Sequence, residues 1–356
     1  MNEQIKNHQK TALILGATGS FGSSLLRHLA GTGWQVRALT RKADQPELTN
    51  VQWIAGDLEN ASVMSNAVSK VDVIVHAVNV PYPKWDPLMI KYTKAIIELA
   101  ISNQAHLLFV GNIYNAGIPK DGVVYESTPN LPINEKGEIR AVLEGMIADA
   151  ADRGLRSTIM RFGDFFGHNI QGPNWFKELT KNVHKNKLTF AGPANVNHTW
   201  AYLPDAAKAC EEVLSIRVAD ATLPHHMVLP FAGHVFSFTQ LQTVIESELK
   251  LAGLGNQLAN GTAGGSANGL TGELAGGLKT SDLPWTLFRM LGLVLPLMRD
   301  IVSMRYLWNH EIRMDGGSLS NLLGGAPTHT PLNQAVLNSV SALSGARQQT
   351  VIGQSA

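Results

Sequence analysis

The chain has a single cysteine, Cys210, in 356 residues, so no intramolecular disulfide is open to it. Cys210 falls in an apolar stripe with Ala206, Val213 and Leu214, where a thiol packs as a small hydrophobe. A charge excess of either sign is also lacking. Lys and Arg number 29 against 28 Asp and Glu, a formal net charge of +1. Without clustered cations there is no electrostatic case for a nucleic-acid partner. No apolar run approaches the ~20 residues of a membrane span. The most apolar stretch, Met290 to Met298, is short, contains Pro296 and is flanked by Arg289 and Arg299, so it reads as a buried or partner-facing helix. The N-terminal residues are polar and form no apolar signal-peptide core, which makes the cytoplasm the expected compartment. A metal is not expected either. His225 and His226 are adjacent and would point to opposite faces of a strand, and no other His, Cys or acid cluster has ligand spacing.

What is present is material for a core, arranged in a rhythm. Hydrophobic residues make up 44% and charged residues 16%, and the length exceeds what one core usually serves. Strands are predicted over 11–15, 35–39, 51–54, 71–77, 106–110 and 157–162, and helices over 23–30, 92–102 and 139–150. Strands alternating with helices predict an α/β fold: a Rossmann-type, doubly wound parallel sheet with a smaller, mainly helical C-terminal lobe. The expected boundaries are a dinucleotide-binding domain over 1–168, to which 196–232 returns, a substrate lobe over 169–345, and a tail over 346–356. Within the lobe, Pro204 and Asp205 open a helix, Ser237 and Gln240 form a capping box, and helix resumes over 284–308 with a break at Pro296. Residues 252–280 are rich in Gly, Ala and Asn and hold neither period, so they read as a flexible insertion.

The sequence TALILGATGSFGSSLL places Gly16, Gly19 and Gly22 directly after a strand and directly before a helix. A G-x-x-G-x-x-G turn there frees the backbone to approach a pyrophosphate, which meets the N–H groups of the helix N-terminus. Thr18 and Ser20 can add hydroxyl donors, and Phe21 lies on the same turn. The reading is a site for NAD or NADP. An NAD-selective site usually carries an acid at the end of the second strand. Here Arg41 and Lys42 stand instead, and a guanidinium suits a 2′-phosphate, so NADP is favoured over NAD. After the third strand, Asp57 and Leu58 would lie near the adenine.

Together these residues resemble the short-chain dehydrogenase/reductases, and best their extended, NAD-dependent epimerase/dehydratase-like branch. Three further segments carry the resemblance: the HAVN after the fourth strand, Arg161-Phe162-Gly163-Asp164-Phe165-Phe166-Gly167, and the run from Trp200 to Ala207. It covers most of 11–245 and implies that Ala77 and Val78 border the cofactor. It also implies a catalytic Tyr-x-x-x-Lys pair on the helix before Ile147. Counting back from Glu144, those positions hold Lys136 and Arg140. Where the family has a Ser or Thr after the fifth strand, this chain has Gly111, Asn112 and Tyr114.

Lys136 and Arg140 are four apart and share a helix face. Arg140 can hold a ribose but cannot donate a proton; Lys136 can donate one. The pair could equally hold an anionic substrate, or be helix-surface residues with Arg140 paired to Glu144. Lys136, Arg140 and Asn112 are therefore the catalytic candidates. Tyr82, Trp85, Tyr114 and Trp200 are the substrate-binding candidates, each equally readable as a packing residue. Two functions stand open. One is an NAD(P)-dependent oxidoreductase or epimerase/dehydratase-like enzyme acting on a small carbonyl or hydroxyl compound. The other is a non-catalytic dinucleotide sensor that kept the cofactor site and lost the pair.

Overall fold

A computed structural model describes residues 9–42, 44–168, 170–259 and 277–341. Along the chain the elements are β1 (Thr11–Leu15), α1 (Ser20–Gly31), β2 (Gln35–Thr40), β3 (Val51–Ala55), α2 (Ala61–Ala67), β4 (Val73–His76), α3 (Trp85–Ser102), β5 (His106–Gly111), β6 (Val123–Val124), α4 (Glu135–Asp149) and β7 (Ser157–Arg161). Then come β8 (Asp164–Phe166), α5 (Trp175–Thr180), β9 (Lys187–Phe190), β10 (His198–Tyr202), α6 (Leu203–Ala219), β11 (His226–Pro230), β12 (His234–Phe236) and α7 (Phe238–Ala259). Next come β13 (Lys279–Asp282), α8 (Trp285–Gly292), α9 (Pro296–Ser303), α10 (Tyr306–Asn309), β14 (Arg313–Met314) and α11 (Gly317–Leu323), followed by a helical segment over 332–341. They fall into two compact units, one made of 1–163, 203–232 and 314–328, the other of 164–202, 233–313 and 329–356.

The first unit is built on a seven-stranded sheet in the order β11-β7-β5-β4-β1-β2-β3, with every pairing parallel. This is the doubly wound, Rossmann-type sheet that the strand–helix rhythm predicts. Its central strands β1, β4, β5 and β7 are buried on both faces, as parallel strands covered by helices are, while the edge strand β3 holds no buried residue. Leu13, Leu15, Ile74, Leu107, Phe109 and Ile159 pack with α2, α3 and α4 in one core. The alternate residues Ala12, Ile14, Val73, Val75 and Leu108 are also fully buried, on the opposite face. Local chemistry starts the helices where they start: Asn60 caps α2 by accepting from Val63 N–H, and Asn134 caps α4 by accepting from Gly137 N–H at 2.9 Å. Glu135 and Glu138 in the first turn of α4 suit its dipole.

The second unit holds a three-stranded sheet, β12-β10-β8, a two-stranded sheet, β13-β9, and the helices α5 and α7 to α10. Its core is aromatic, with Phe166, Phe176, Trp200, Phe236 and Trp308 buried together. The capping box before α7 forms reciprocally. Ser237 N–H donates to Gln240 Oε1 at 2.8 Å, and Gln240 N–H donates to Ser237 Oγ at 3.3 Å. The helix it starts corrects the expected insertion: α7 runs on to Ala259, and β13 begins at Lys279, so both ends of 252–280 are regular structure. Residues 260–276 and the tail lie outside the described residues. The helix breaks around Pro296 as expected: α8 ends at Gly292, and Pro296 opens α9 as its N1 residue. Of the two readings of the stretch around it, buried or partner-facing, the first is corrected, because Leu293 and Val294 are 88% and 81% exposed.

Candidate functional site

The turn from β1 into α1 stands at the carboxyl ends of the strands, between β1 and β4, where the strand order reverses. Gly16 has φ +90°, and a Cβ there would lie 2.3 Å from the Ala77 carbonyl oxygen. A Cβ at Gly22 would lie 2.2 Å from the Gly16 carbonyl oxygen. These two glycines are therefore required by close backbone packing, and they press β1, β4 and the start of α1 together. Gly19 differs. Its Cβ direction meets one backbone oxygen, Gly16 O at 3.3 Å, and otherwise open space. As N-cap of α1 it supplies no side-chain hydrogen bond, and the first turn of the helix carries no acid. A turn that leaves room over a helix N-terminus is the cradle a pyrophosphate needs.

The other cofactor candidates group around this turn in part. Ala77 N–H donates to Leu15 O at 2.9 Å, which joins the ends of β1 and β4. Val78 and Leu58 pack against the core of the first unit. Thr18 is exposed, Ser20 is half-buried, and the Phe21 ring is buried 5.3 Å from Phe162. Phe21 thus offers its main chain, its ring being spent on packing. Arg41 is exposed just past β2, where Thr40 Oγ1 accepts from Lys42 N–H at 3.1 Å. Asp57 is exposed and its carboxylate accepts from Glu59 N–H, closing a small turn.

The catalytic candidates on α4 are both buried, which removes the surface-helix reading. Lys136 keeps 3% of its side chain exposed and lies 3.5 Å from Glu135 Oε1. Arg140 donates to the Val110 carbonyl at 3.1 Å. Its guanidinium lies over the rings of Trp85 and Phe109, at 4.7 Å and 5.6 Å from their centres. Burial lowers its pKa, while Tyr114, Glu144 and Tyr82 act to raise it. Arg140 is not the partner of Glu144. That carboxylate is bound by Arg161 Nη2 at 2.7 Å and by Asn115 Nδ2 at 2.9 Å, all three buried.

Tyr82 and Tyr114 share a hydrogen bond between their hydroxyls, 3.0 Å apart, and both are half-buried. Trp85 contacts Arg140 and both phenols, under the Arg140 guanidinium, edge-on to Tyr82 and stacked with Tyr114, with its Nε1 donating to Val80 O. It is 1% exposed, so its role here is packing. Asn112 Oδ1 accepts from Tyr114 N–H at 3.0 Å and so shapes the turn that presents the phenol. Arg140, Asn112, Tyr82 and Tyr114 are thus brought together at the end of β5. Trp200 is not among them. In the second unit it is 1% exposed, stacked on Phe236 at 5.4 Å, so the expected substrate contact is a core ring. His198, in the same unit, pairs with Asp164 at 2.7 Å and stacks on Trp308.

Two groups escape the sequence reading. His76 is buried at the end of β4, bonded to Thr93 Oγ1 at 2.9 Å, and its pKa is lowered to about 3 by burial and by Arg140. The Glu144–Arg161 pair is the other. Glu144 served as a register marker and Arg161 as part of a motif, and a charged residue inside a buried strand was the available signal that it needs a partner.

Residues 8–251 match the profile of the NmrA-like family. Among curated proteins, a UDP-glucose 4-epimerase of Lactobacillus helveticus is 27% identical over 45% of this chain and 53% of its own length. A second, from Lacticaseibacillus casei, is 28% identical over 44% and 52%. The chain thus spans about half the length of the curated relatives it matches. Among solved structures, a UDP-glucuronic acid 4-epimerase from Bacillus cereus in complex with NAD superposes with a TM-score of 0.68, at 16% identity over 94% of this chain and 99% of that one. An NAD-dependent NDP-hexosamine 5,6-dehydratase of tunicamycin biosynthesis gives 0.67, at 15% identity over 94% and 98%. At such identities the likeness is one of fold.

Proposed function

The chain belongs to the NmrA-like family, and from that premise we propose that it binds a nicotinamide dinucleotide at the Gly16–Gly22 turn. We further propose that it uses the dinucleotide in oxidoreductase or epimerase/dehydratase-type chemistry on a small carbonyl or hydroxyl compound. The observation that carries this reading is Gly19, whose missing side chain leaves open space over the start of α1. The relatives' names point to UDP-sugars as the first substrates to try. NADP is the preferred cofactor, because Arg41 stands exposed where an NAD-selective site carries an acid.

When bound, the dinucleotide supplies hydride transfer. The chain supplies the rest. The α1 N-terminus holds the pyrophosphate, and Arg41 pairs with the 2′-phosphate. The Tyr82 and Tyr114 hydroxyls bind the substrate's oxygen, and Lys136 carries the proton. Arg140 is a positioning residue. Through Val110 O and the Trp85 ring it fixes the end of β5, on which Asn112 and Tyr114 follow.

Titration of NADPH and NADH, followed by nicotinamide fluorescence, tests the reading. Wild type should bind, and Gly19→Val should stay folded at the assay temperature, with a modest fall in melting temperature from the poorer N-cap, yet lose affinity at least ~tenfold, because the new side chain fills the cradle. Unchanged affinity in Gly19→Val would place the cofactor elsewhere. A second reading, a dinucleotide sensor without turnover, is favoured by one observation: the position of the family's lysine is held by Arg140, whose guanidinium is engaged by Val110 O and two rings. Lys136→Met separates the two. In the enzyme it lowers turnover of UDP-glucose or another active substrate while cofactor affinity stays. In the sensor there is no turnover to lose.

A further inference from the structure

The connection between α8 and α9 exposes apolar side chains far beyond what solvent-facing helices usually show. Leu287, Met290, Leu291, Leu293, Val294, Leu295 and Leu297 are all exposed, Leu293 and Val294 by 88% and 81%. These seven residues lie within eleven positions of the chain, so they form one contiguous feature rather than scattered surface leucines. Its base is anchored: Trp285 is buried, and its Nε1 donates to Ala191 O at 2.8 Å. The apex is closed on itself. The N–H of Leu293 donates to Met290 O at 3.3 Å, and the N–H groups of Val294 and Leu295 donate to Leu291 O at 3.1 and 2.8 Å.

Charge narrows the occupant. Between Trp285 and Arg299 there is no Asp or Glu, and the two charged residues, Arg289 and Arg299, are exposed cations flanking the apolar apex. The following acid, Asp300, is buried. An apolar tip with its backbone N–H groups satisfied, ringed by arginines, matches a lipid interface. Acyl chains take the leucines, satisfied N–H groups tolerate the loss of water, and the guanidiniums meet anionic headgroups. A protein partner fits less well, since a standard interface takes roughly 20–30 residues a side and this one offers a narrow tip.

We propose that the α8–α9 tip docks this protein on an anionic lipid surface, with Leu293 and Val294 inserted at the headgroup boundary and Arg289 and Arg299 at the phosphates. The proposal is independent of the dinucleotide reading, since it rests on residues that serve no part of that site.

Flotation of the purified full chain with vesicles tests it. One set is phosphatidylcholine; the other contains phosphatidylglycerol as well. Wild type should float with the anionic vesicles and about tenfold more weakly with the neutral ones. Leu293→Glu with Val294→Glu should cut flotation by ~tenfold or more, and these exposed positions should leave the melting temperature unchanged. Arg289→Gln with Arg299→Gln should remove the preference for the anionic set. Wild type that stays unbound to the anionic vesicles, or floats equally after the double glutamate change, overturns the proposal. So does sedimentation showing self-association that the double glutamate change abolishes, which would assign the tip to a second copy of the chain. Equal flotation of wild type with both vesicle sets overturns the role of the arginines.

Discussion

The guanidinium of Arg140 lies 4.7 Å from the centre of the Trp85 ring and donates to the Val110 carbonyl at 3.1 Å. One side chain thereby ties α4 to the start of α3 and to the end of β5. The position is the one at which the family resemblance implies a lysine. A lysine's compact ammonium lacks the planar stacking and forked donors that this arrangement uses.

Arg140→Ala should therefore cost about 2–4 kcal/mol of unfolding free energy, because it removes a buried cation–π contact and leaves the Val110 carbonyl unsatisfied. Arg140→Lys should recover part of that loss. Urea denaturation at neutral pH is the measurement, and a loss below ~0.5 kcal/mol for Arg140→Ala would show that the contact contributes little.

The Glu144–Arg161 pair should show the signature of a buried ion pair. Glu144→Leu leaves Arg161 charged and buried and should cost about 3–5 kcal/mol. The double change Glu144→Leu with Arg161→Met removes both charges and should cost less than the sum of the single changes. Additive losses in the double-mutant cycle would mean that the two side chains are not coupled.

Acid should destabilise the first unit through His76. Its pKa falls from the ordinary 6.5 to about 3 in the folded protein, mainly by burial. Between those values the unfolded chain takes up a proton that the folded one refuses. The stability contributed by neutral His76 is complete above pH 6.5 and is lost as the pH falls toward 3. His76→Gln should flatten the dependence between pH 6 and 4 by about 1.4 kcal/mol per pH unit. His106 and His226, also held low chiefly by burial, keep the remainder of the slope. An unchanged slope in His76→Gln would show that this histidine does not titrate on unfolding.

Arg41 should set cofactor choice. Arg41→Ala should weaken NADPH by roughly 1.5–3 kcal/mol and leave NADH nearly unchanged, since a charge-assisted contact to the 2′-phosphate is lost. Calorimetric titration of both nucleotides checks this. Equal weakening of the two, or a wild-type preference for NADH, would count against the role.

The features legible in the sequence were those whose causes are local. The β1–glycine–α1 turn declared itself because three glycines at fixed spacing stand directly between a strand pattern and a helix pattern. The capping box at Ser237 and Gln240 lies within four residues and needs no tertiary context. Partnerships over distance stayed hidden. Tyr82 and Tyr114 are 32 residues apart, and Arg161 reaches Glu144 across 17. Trp200 reads the same in a strand whether it lines a cleft or a core, and only packing against Phe236 decides it. Hydropathy left Met290 to Met298 readable as buried or partner-facing, because apolar runs are usually covered and nothing local marks which of the two holds. The α7 helix overran its expected end because packing and propagation can carry a helix through residues of weak propensity.

Cys210 is fully buried in α6, and burial drives its thiol pKa up. The native protein should therefore be silent toward thiol-specific reagents, although it contains a target. That silence makes the side chain a clock. Modification can proceed only when α6 leaves the sheet, so at high reagent concentration, where labelling outpaces reclosing, its rate counts openings of the first unit, with no tag, dye or engineered residue. It also frees the surface. Any cysteine introduced at an exposed position becomes the sole reactive thiol in the folded chain, and a probe attached there reports on that position alone.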